Sequence, residues 1–598
     1  MLAAIVLAVL AIYASVLGYG FLDWDDRVHT VDNRHIADTA YYWRHFEQGM
    51  YMPVTFSAWS ILYRWFGDNP APFHGLNLLL HAANAVLVFL VLEQLLESVP
   101  RPSRSGADDG TQARRRTAPS CLSAGGGALL FAVHPLQAEP VSWITSLKDL
   151  GYGFFSLLAI FTFVRFVRTK RAPWHWLHLA SIGALVVATL CKPAAIAVVL
   201  ILAALCLLWW AIDWRRSLSL LWPFAAAALP AAVLNGMSQQ RLTLLYHTPL
   251  HLRPLVALDS LGFYLGKVLL PWELSPAYER SPRWLIESGT ITYGWLAGAV
   301  AVGLVLLMRK RYPELLASFA VFFAAVVLVL GLKSFAAQDN TTVYDRYVYL
   351  AMLGPALLAG TLLYRARQRW QLVIAGLALL ALGAKSAVQT RHWESDRTLW
   401  TYALEQRPDS AVALVALGLQ HSKDGHRERA IELYERAVKV KPHDVEAHHN
   451  LGAVLASMGK LAEAEGHFIA ALELNPKNLS ARNHLSRVYF ETGKLDLAER
   501  HTRLALDRAP HHPDVAIRLG EVLLAQGRLP ECIAHMESVV RWLPDHPDGL
   551  TLLGVALAQN GQEERAIGYF RAALHIHPQH ESARHNLDVA LGRSSSAR

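Results

Sequence analysis

The sequence predicts an all-α chain in two parts: a polytopic membrane helix bundle over residues 1–390, then an α-solenoid of helical repeats over residues 391–598. Two observations carry this. The 598 residues are 53% hydrophobic and only 17% charged, against roughly 25% charged in soluble proteins. The deficit lies in long apolar runs before residue 390, whereas leucine, glycine and proline recur on a fixed period after it. A wholly soluble enzyme, a disordered chain and a fibrous repeat are thereby excluded. The net charge of +8, from 56 Lys and Arg against 48 Asp and Glu, is modest. Its basic residues sit in short loops rather than on one soluble face, so nucleic acid is not expected as a partner. The four cysteines are scattered without a CxxC pair and read as buried free thiols.

About 20 apolar residues cross a bilayer as a helix. Eleven stretches qualify, within a few residues: 2–18, 76–96, 122–138, 150–168, 174–190, 194–212, 218–236, 291–308, 315–333, 345–363 and 371–388. The first lacks the basic flank of a cleaved signal peptide and is expected to stay as a helix. With the N-terminus in the cytoplasm, eleven crossings place every basic cluster on the cytoplasmic side, as the positive-inside rule demands. Those clusters are Arg101/Arg104/Arg114–Arg116, Arg165/Arg168/Lys170/Arg171, Arg215/Arg216, Arg309–Arg311 and Arg365/Arg367/Arg369. The stretch 255–271 would spoil that parity if it crossed, so it is expected to be re-entrant or interfacial. The loops 20–72, 134–149, 235–289 and 333–344, and everything after about residue 390, then lie outside the cytoplasm.

In the second part, Leu417-Gly418, Leu451-Gly452, Leu485-Ser486, Leu519-Gly520, Leu553-Gly554 and Leu587-Asp588 recur every 34 residues. Gly425 to Gly561 and Pro408 to Pro578 keep the same step, as do Ala430, Ala464, Ala498, Cys532 and Ala566. That is the tetratricopeptide signature: paired antiparallel helices, a glycine at the turn, a proline at the end and small residues where helices touch. Five full repeats are expected over 409–578, led in by a helix pair near 393–407 and capped by a helix over 579–592. A solenoid offers a concave face suited to an extended peptide.

Chemistry concentrates in the extracytoplasmic loops. Trp24-Asp25-Asp26 follows the first span; His134-Pro135 with Glu139 leads on to Lys148-Asp149; Tyr344-Asp345-Arg346-Tyr347 precedes a later span. Ionisable groups beside a membrane helix usually mark function. His74, Asn77, His81 and Asn84 share one helix face and are expected to point into a cavity. A carboxylate can take a proton from a hydroxyl, while Lys148, Lys192 and Arg346 can steady a departing phosphate. That combination fits glycosyl transfer from a lipid-phosphate donor. A cytoplasmic nucleotide enzyme is not expected, because no Gly-rich phosphate loop is present.

The segments WDD, YMPVTFSAW, FHGLNLLLHAAN, LLFAVHPLQAEPVSWITSLKD, LPWELSPAY and YDRYVYLAMLG, followed by the repeats, resemble the TMTC family. These are transmembrane and tetratricopeptide-repeat proteins of the GT-C superfamily, similar to protein O-mannosyltransferases. The resemblance implies a GT-C bundle, a polyprenyl- or dolichyl-phosphate sugar donor, inverting transfer and a protein hydroxyl as acceptor. By motif it places the general base at Asp25 or Asp26, with Asp26 slightly favoured. It also places His134, Glu139, Lys148, Asp149 and Arg346 around the donor; Lys192 joins them on its charge alone. The family's RKD stands here as Leu147-Lys148-Asp149, one basic residue short. In related repeat-containing sugar transferases an asparagine before Leu-Gly grips a peptide backbone. Here only Asn450 and Asn586 hold that slot, beside Ala416, His484, Arg518 and Leu552, so an asparagine ladder is not expected. The sequence identifies no cofactor, the lipid-phosphate sugar being a substrate; a divalent ion on Asp26, His134 and Glu139 is an open alternative. So are a non-catalytic membrane scaffold and transfer to a lipid or polysaccharide.

Overall fold

In the computed structural model, residues 1–47, 49–98, 112–169, 175–241 and 246–592 are described, without the side chains of 112–119, 235–236, 238–241 and 336. Among them the chain is helical throughout, with one isolated bridge between Glu47 and Met50. Arg101, Arg104, Lys170 and Arg171 lie outside the described residues, as do the side chains of Arg114–Arg116. The chain divides into two compact units, Met1–Ala413 and Leu414–Arg598. The first extends past residue 390 because the segment up to Ala413 is tied into it. Asp396 accepts the Asp23 backbone N–H at 2.9 Å, the Trp400 ring meets Trp24 edge-on, and Ser410 donates to Glu279. The expected lead-in pair is a single helix, Asp396–Gln406.

Among the described residues of the first unit, five helices are long and apolar enough to cross a membrane: Ala71–Leu96, Ile144–Arg168, Trp214–Leu234, Thr290–Met308 and Arg369–Arg391. A pair bent by 52°, Ser120–Val133 with Pro135–Ser142, makes a sixth if it counts as one span. Shorter apolar helices occupy Leu2–Gly18, Trp176–Cys191, Pro193–Trp209, Pro313–Val329 and Leu350–Arg365, so all eleven expected stretches are apolar helices of one kind or the other. The stretch 255–271 is the helix Arg253–Leu269.

Two breaks in the helices position charged loops. A residue before proline is pushed out of the helical region. His134 before Pro135 and Lys192 before Pro193 are accordingly extended, with ψ of 135° and 126°. Close helix approach is set by small residues. A methyl on Gly127 would run into the Ala356 carbonyl, and one on Gly298 into that of Leu258.

The second unit is a run of helix pairs, Val445–Ser457 with Leu461–Leu474 being typical, closed by Glu581–Ala590. Gly459 turns between the two at φ +77°, a conformation that favours glycine. The Leu-Gly period has a packing cause: Gly452 faces the Phe468 ring, and Gly418, Gly520 and Gly554 face Tyr434, Met536 and Phe570. Where serine replaces that glycine, Ser486 meets the small Thr502 instead, with the hydroxyls 2.5 Å apart.

Candidate functional site

The Trp24-Asp25-Asp26 turn begins the four-residue helix Asp26–His29. Asp26 is fully buried and both its oxygens are engaged. Oδ2 accepts the Leu22 N–H at 3.0 Å; Oδ1 accepts the Thr145 N–H at 2.8 Å and the Thr145 hydroxyl at 2.6 Å. Burial nevertheless raises its carboxyl to about 7. Asp25 is half-buried, and its carboxylate has no hydrogen-bond partner among the described residues. Burial raises its carboxyl above the ordinary range, opposed by the charges of Lys148 and then Arg346. The acid favoured from sequence is thus the one locked in place, and its neighbour is the one left accessible.

Around them stand three cations. Arg346 pairs with Glu139, and its guanidinium lies 3.7 Å from the centre of the Tyr344 ring and 4.9 Å from that of Trp143. Lys192 pairs with Asp149 and lies between the Tyr152 and Tyr347 rings, at 5.6 and 5.3 Å. Lys148, 5.5 Å from the Trp143 ring, has no carboxylate within ion-pair distance among the described residues; the carboxylates that act on it electrostatically are Asp25 and then Asp149. One oxygen each of Glu139 and Asp149 is buried with no hydrogen bond. Trp24 stacks on Trp143 at 4.8 Å, closing one side. The three loop clusters separated in sequence therefore converge on one place.

The remaining candidates go elsewhere. His134 accepts the Leu136 N–H on Nδ1 and meets the Val268 carbonyl at 3.0 Å through Nε2, so it caps a helix start and ties it to Arg253–Leu269. The polar stripe, expected to point into a cavity, is buried in protein and meets backbone instead. Asn77 donates to the Trp143 carbonyl at 2.8 Å and Asn84 to that of Leu150 at 3.1 Å. His81 bridges the Ala132 carbonyl and the Tyr349 hydroxyl, both at 3.0 Å, and His74 reaches the Gly20 carbonyl at 3.4 Å. A helical stripe alone does not distinguish these two environments. Among the described residues, no group of three His, Cys, Asp or Glu side chains is placed to hold a metal ion; Asp26, His134 and Glu139 each have partners of their own. Thr145 was not singled out from sequence, and Trp24, Trp143, Tyr344 and Tyr347 stood within the charged motifs without a role of their own. The aromatic residues flanking each charged motif were the available signal.

In the repeat unit, Asn450 pairs with His449 at 3.2 Å and is not among the residues that line the cavity of the later repeats. Asn586 lines a cavity of about 630 Å³ in the later repeats and donates to its own Ser582 carbonyl.

Comparison with known proteins adds the wider context. Human TMTC3, a protein named O-mannosyl-transferase, is 22% identical over 469 residues, which is 70% of this chain and 48% of that protein. The chain is a relative of the TMTC proteins. Tmtc1 of Drosophila melanogaster is 33% identical over 158 residues, covering 26% of this chain and 15% of that one. Human TMTC4 is 31% identical over 154 residues, 25% and 19% respectively. The chain spans about half the length of TMTC3. Tetratricopeptide repeat models match residues 444–511, 485–541 and 517–581, and a TPR repeat model matches 423–459. Among solved structures, YrrB, a TPR protein with an unusual peptide-binding site, is 24% identical over 31% of this chain and 96% of its own, with a TM-score of 0.28. A thermophilic TPR protein of Thermus thermophilus is 22% identical over 30% and 98%, with a TM-score of 0.26.

Proposed function

We propose that the chain is a membrane glycosyltransferase of GT-C type. It moves a mannose-like sugar from a polyprenyl- or dolichyl-phosphate donor to a hydroxyl of an acceptor protein on the extracytoplasmic side, and the repeats recruit the acceptor. The observation that carries this reading is the half-buried Asp25 carboxylate, without a hydrogen bond among the described residues and within electrostatic reach of Lys148 and Arg346. A base and two cations at the end of an apolar helix are what such a transfer needs. Asp25 removes the acceptor proton as the acceptor oxygen attacks the anomeric carbon. The bond from that carbon to the phosphate oxygen breaks, and Lys148 and Arg346 take up the charge left on the lipid phosphate. Attack opposite the leaving group inverts the anomeric carbon. Asp26, held by Leu22 and Thr145, positions Asp25 and does not itself exchange protons with substrate. Transfer needs no metal in this scheme, so chelation should leave it unchanged.

The test is transfer of sugar from defined polyprenyl-phosphate donors to an acceptor protein by the purified chain. Asp25→Asn is expected to lower the rate by about 10²-fold or more with donor binding retained. Transfer at the wild-type rate by Asp25→Asn removes the assignment of the base. Absence of both donor binding and transfer in the wild type would favour a non-catalytic scaffold.

A further inference from the structure

Between the helices Arg253–Leu269 and Pro282–Glu287 runs a short segment, Tyr278-Glu279-Arg280, that is tied on two sides. One side lies along Thr341–Asp345. The Arg280 N–H donates to the Thr341 hydroxyl at 3.2 Å, and the Thr342 N–H donates to the Arg280 carbonyl at 3.1 Å. The Tyr278 hydroxyl donates to the Asp345 carboxylate at 2.7 Å. Both of these side chains are buried, so that bond is shielded from water and is the stronger for it. Arg346 is the next residue in the chain.

The other side receives the start of the repeats. Arg407 donates to the Tyr278 carbonyl at 2.5 Å. Glu279 Oε1 accepts the Ser410 hydroxyl at 2.7 Å and the Val412 N–H at 2.8 Å. Val412 lies in the first turn of the helix Ala411–Lys423, where N–H groups have no partner within the helix. A carboxylate is favoured there, both as acceptor and by the helix dipole. The first repeat helix is thus capped by a residue 133 positions earlier. Glu279 holds φ at +50°, a left-handed conformation that is unfavourable for any residue with a side chain. Such a backbone persists where its surroundings fix it, and here both neighbouring segments do. Arg280 adds a third anchor by pairing with Asp259 at 2.6 Å. The helix Asp396–Gln406, which leads into Arg407, also holds Asp23 and Trp24 beside the base.

We propose that Tyr278 and Glu279 are positioning residues for transfer. They register Arg346 against the start of the repeats, so that this start sets the cation that takes up the phosphate charge. Neither residue touches the reacting atoms. A shift of the helix start pulls on Glu279 and on the Tyr278 carbonyl, and the same backbone carries the shift to Asp345 and Arg346. This role rests on the reading of Arg346 as a phosphate-binding group; the mechanical link between the two segments does not.

The link is tested by amide hydrogen exchange of the full chain in detergent, read by mass spectrometry at residues 341–348 and 407–413. The Glu279 side chain meets only the second segment and the Tyr278 hydroxyl only the first. Glu279→Ala and Tyr278→Phe are each expected to speed exchange about tenfold in the segment they do not touch, the loss of one hydrogen bond to a charged group. Unchanged exchange in both untouched segments overturns the link. If Glu279→Ala speeds exchange in the later repeats as well, it has unfolded them. Ser410→Ala, which keeps the Val412 contact, is then read at 341–348, and no change there overturns the link. In the transfer assay Glu279→Ala is expected to lower kcat about tenfold with the KM for donor unchanged, because Arg346 acts on charge that develops as the bond breaks. A wild-type kcat, or a change in KM alone, overturns the positioning role. Coupled exchange in a chain that transfers no sugar upholds the link while the enzymatic reading falls.

Discussion

At the scale of single residues, the proposed reaction divides its work between the two adjacent aspartates. Asp25 must be ionised to act as a base, and burial holds its carboxyl above the ordinary range, with Lys148 the largest opposing charge. The acid limb of kcat/KM is therefore expected above the pH of a free aspartate. Lys148→Met should move it higher still, because the charge that favours the ionised form is gone. A limb that stays put or moves down in that variant would separate Lys148 from Asp25. Asp26 makes a distinct, structural statement. Its folded carboxyl, near 7, lies above its unfolded value of 3.8, so the folded state binds the extra proton. That contribution is full below about 3.8 and is lost as pH rises to about 7. Thermal unfolding of the wild type should show this decline, and Asp26→Asn should flatten it while costing about 1–3 kcal/mol for the disrupted Leu22 and Thr145 contacts. Sequence made both carboxylates visible but not which was free. That depends on Thr145, over a hundred positions away, and only the fold brings it to Asp26.

At the scale of elements, the polar stripe of Ala71–Leu96 shows how an apolar bundle fixes its register. Asn77, His81 and Asn84 each hold a backbone carbonyl of a neighbouring helix or turn. His81 and Asn84 also share the Tyr349 hydroxyl, which donates to the imidazole and accepts from the amide. Removing one partner leaves buried polar groups unpaired, at about 1–3 kcal/mol. Asn84→Leu should thus lower the unfolding temperature without changing the KM for donor; a changed KM with stability unaltered would return the stripe to the substrate cavity. The spacing in sequence correctly put these residues on one inward face. It could not say whether that face met space or backbone, because a carbonyl on another helix leaves no trace in the local pattern. The repeat unit was more legible, since its Leu-Gly period is itself a packing rule, glycine against the Phe468 or Tyr434 ring.

At the scale of the whole molecule, function depends on parity. Asp25 follows the first apolar helix and the repeats follow the last, so both face one compartment only if an even number of crossings lies between them. Ten of the eleven apolar helices supply that number, provided Arg253–Leu269 does not cross. On the proposed topology the basic clusters lie on the N-terminal, cytoplasmic side. Single-cysteine labelling in intact cells with a membrane-impermeant maleimide tests this directly. Cys191, Cys206 and Cys532 are buried, and the partly exposed Cys121 can be replaced by serine. Lys310 is exposed between two apolar helices, and Asn560 is exposed at a turn of the repeats. Asn560→Cys is expected to react from outside, and Lys310→Cys only after permeabilisation. Labelling of both from outside, or of neither, would mean that the count between Lys310 and the repeats is wrong by one. An acceptor gripped by the repeats could still reach Asp25 if a compensating error lay before Lys310, so a third site decides. Asp32→Cys, in the loop after Asp25, must label with Asn560→Cys. If it labels from the opposite side, the base and the recruiting groove lie across a membrane from each other, and transfer to a repeat-bound acceptor is impossible.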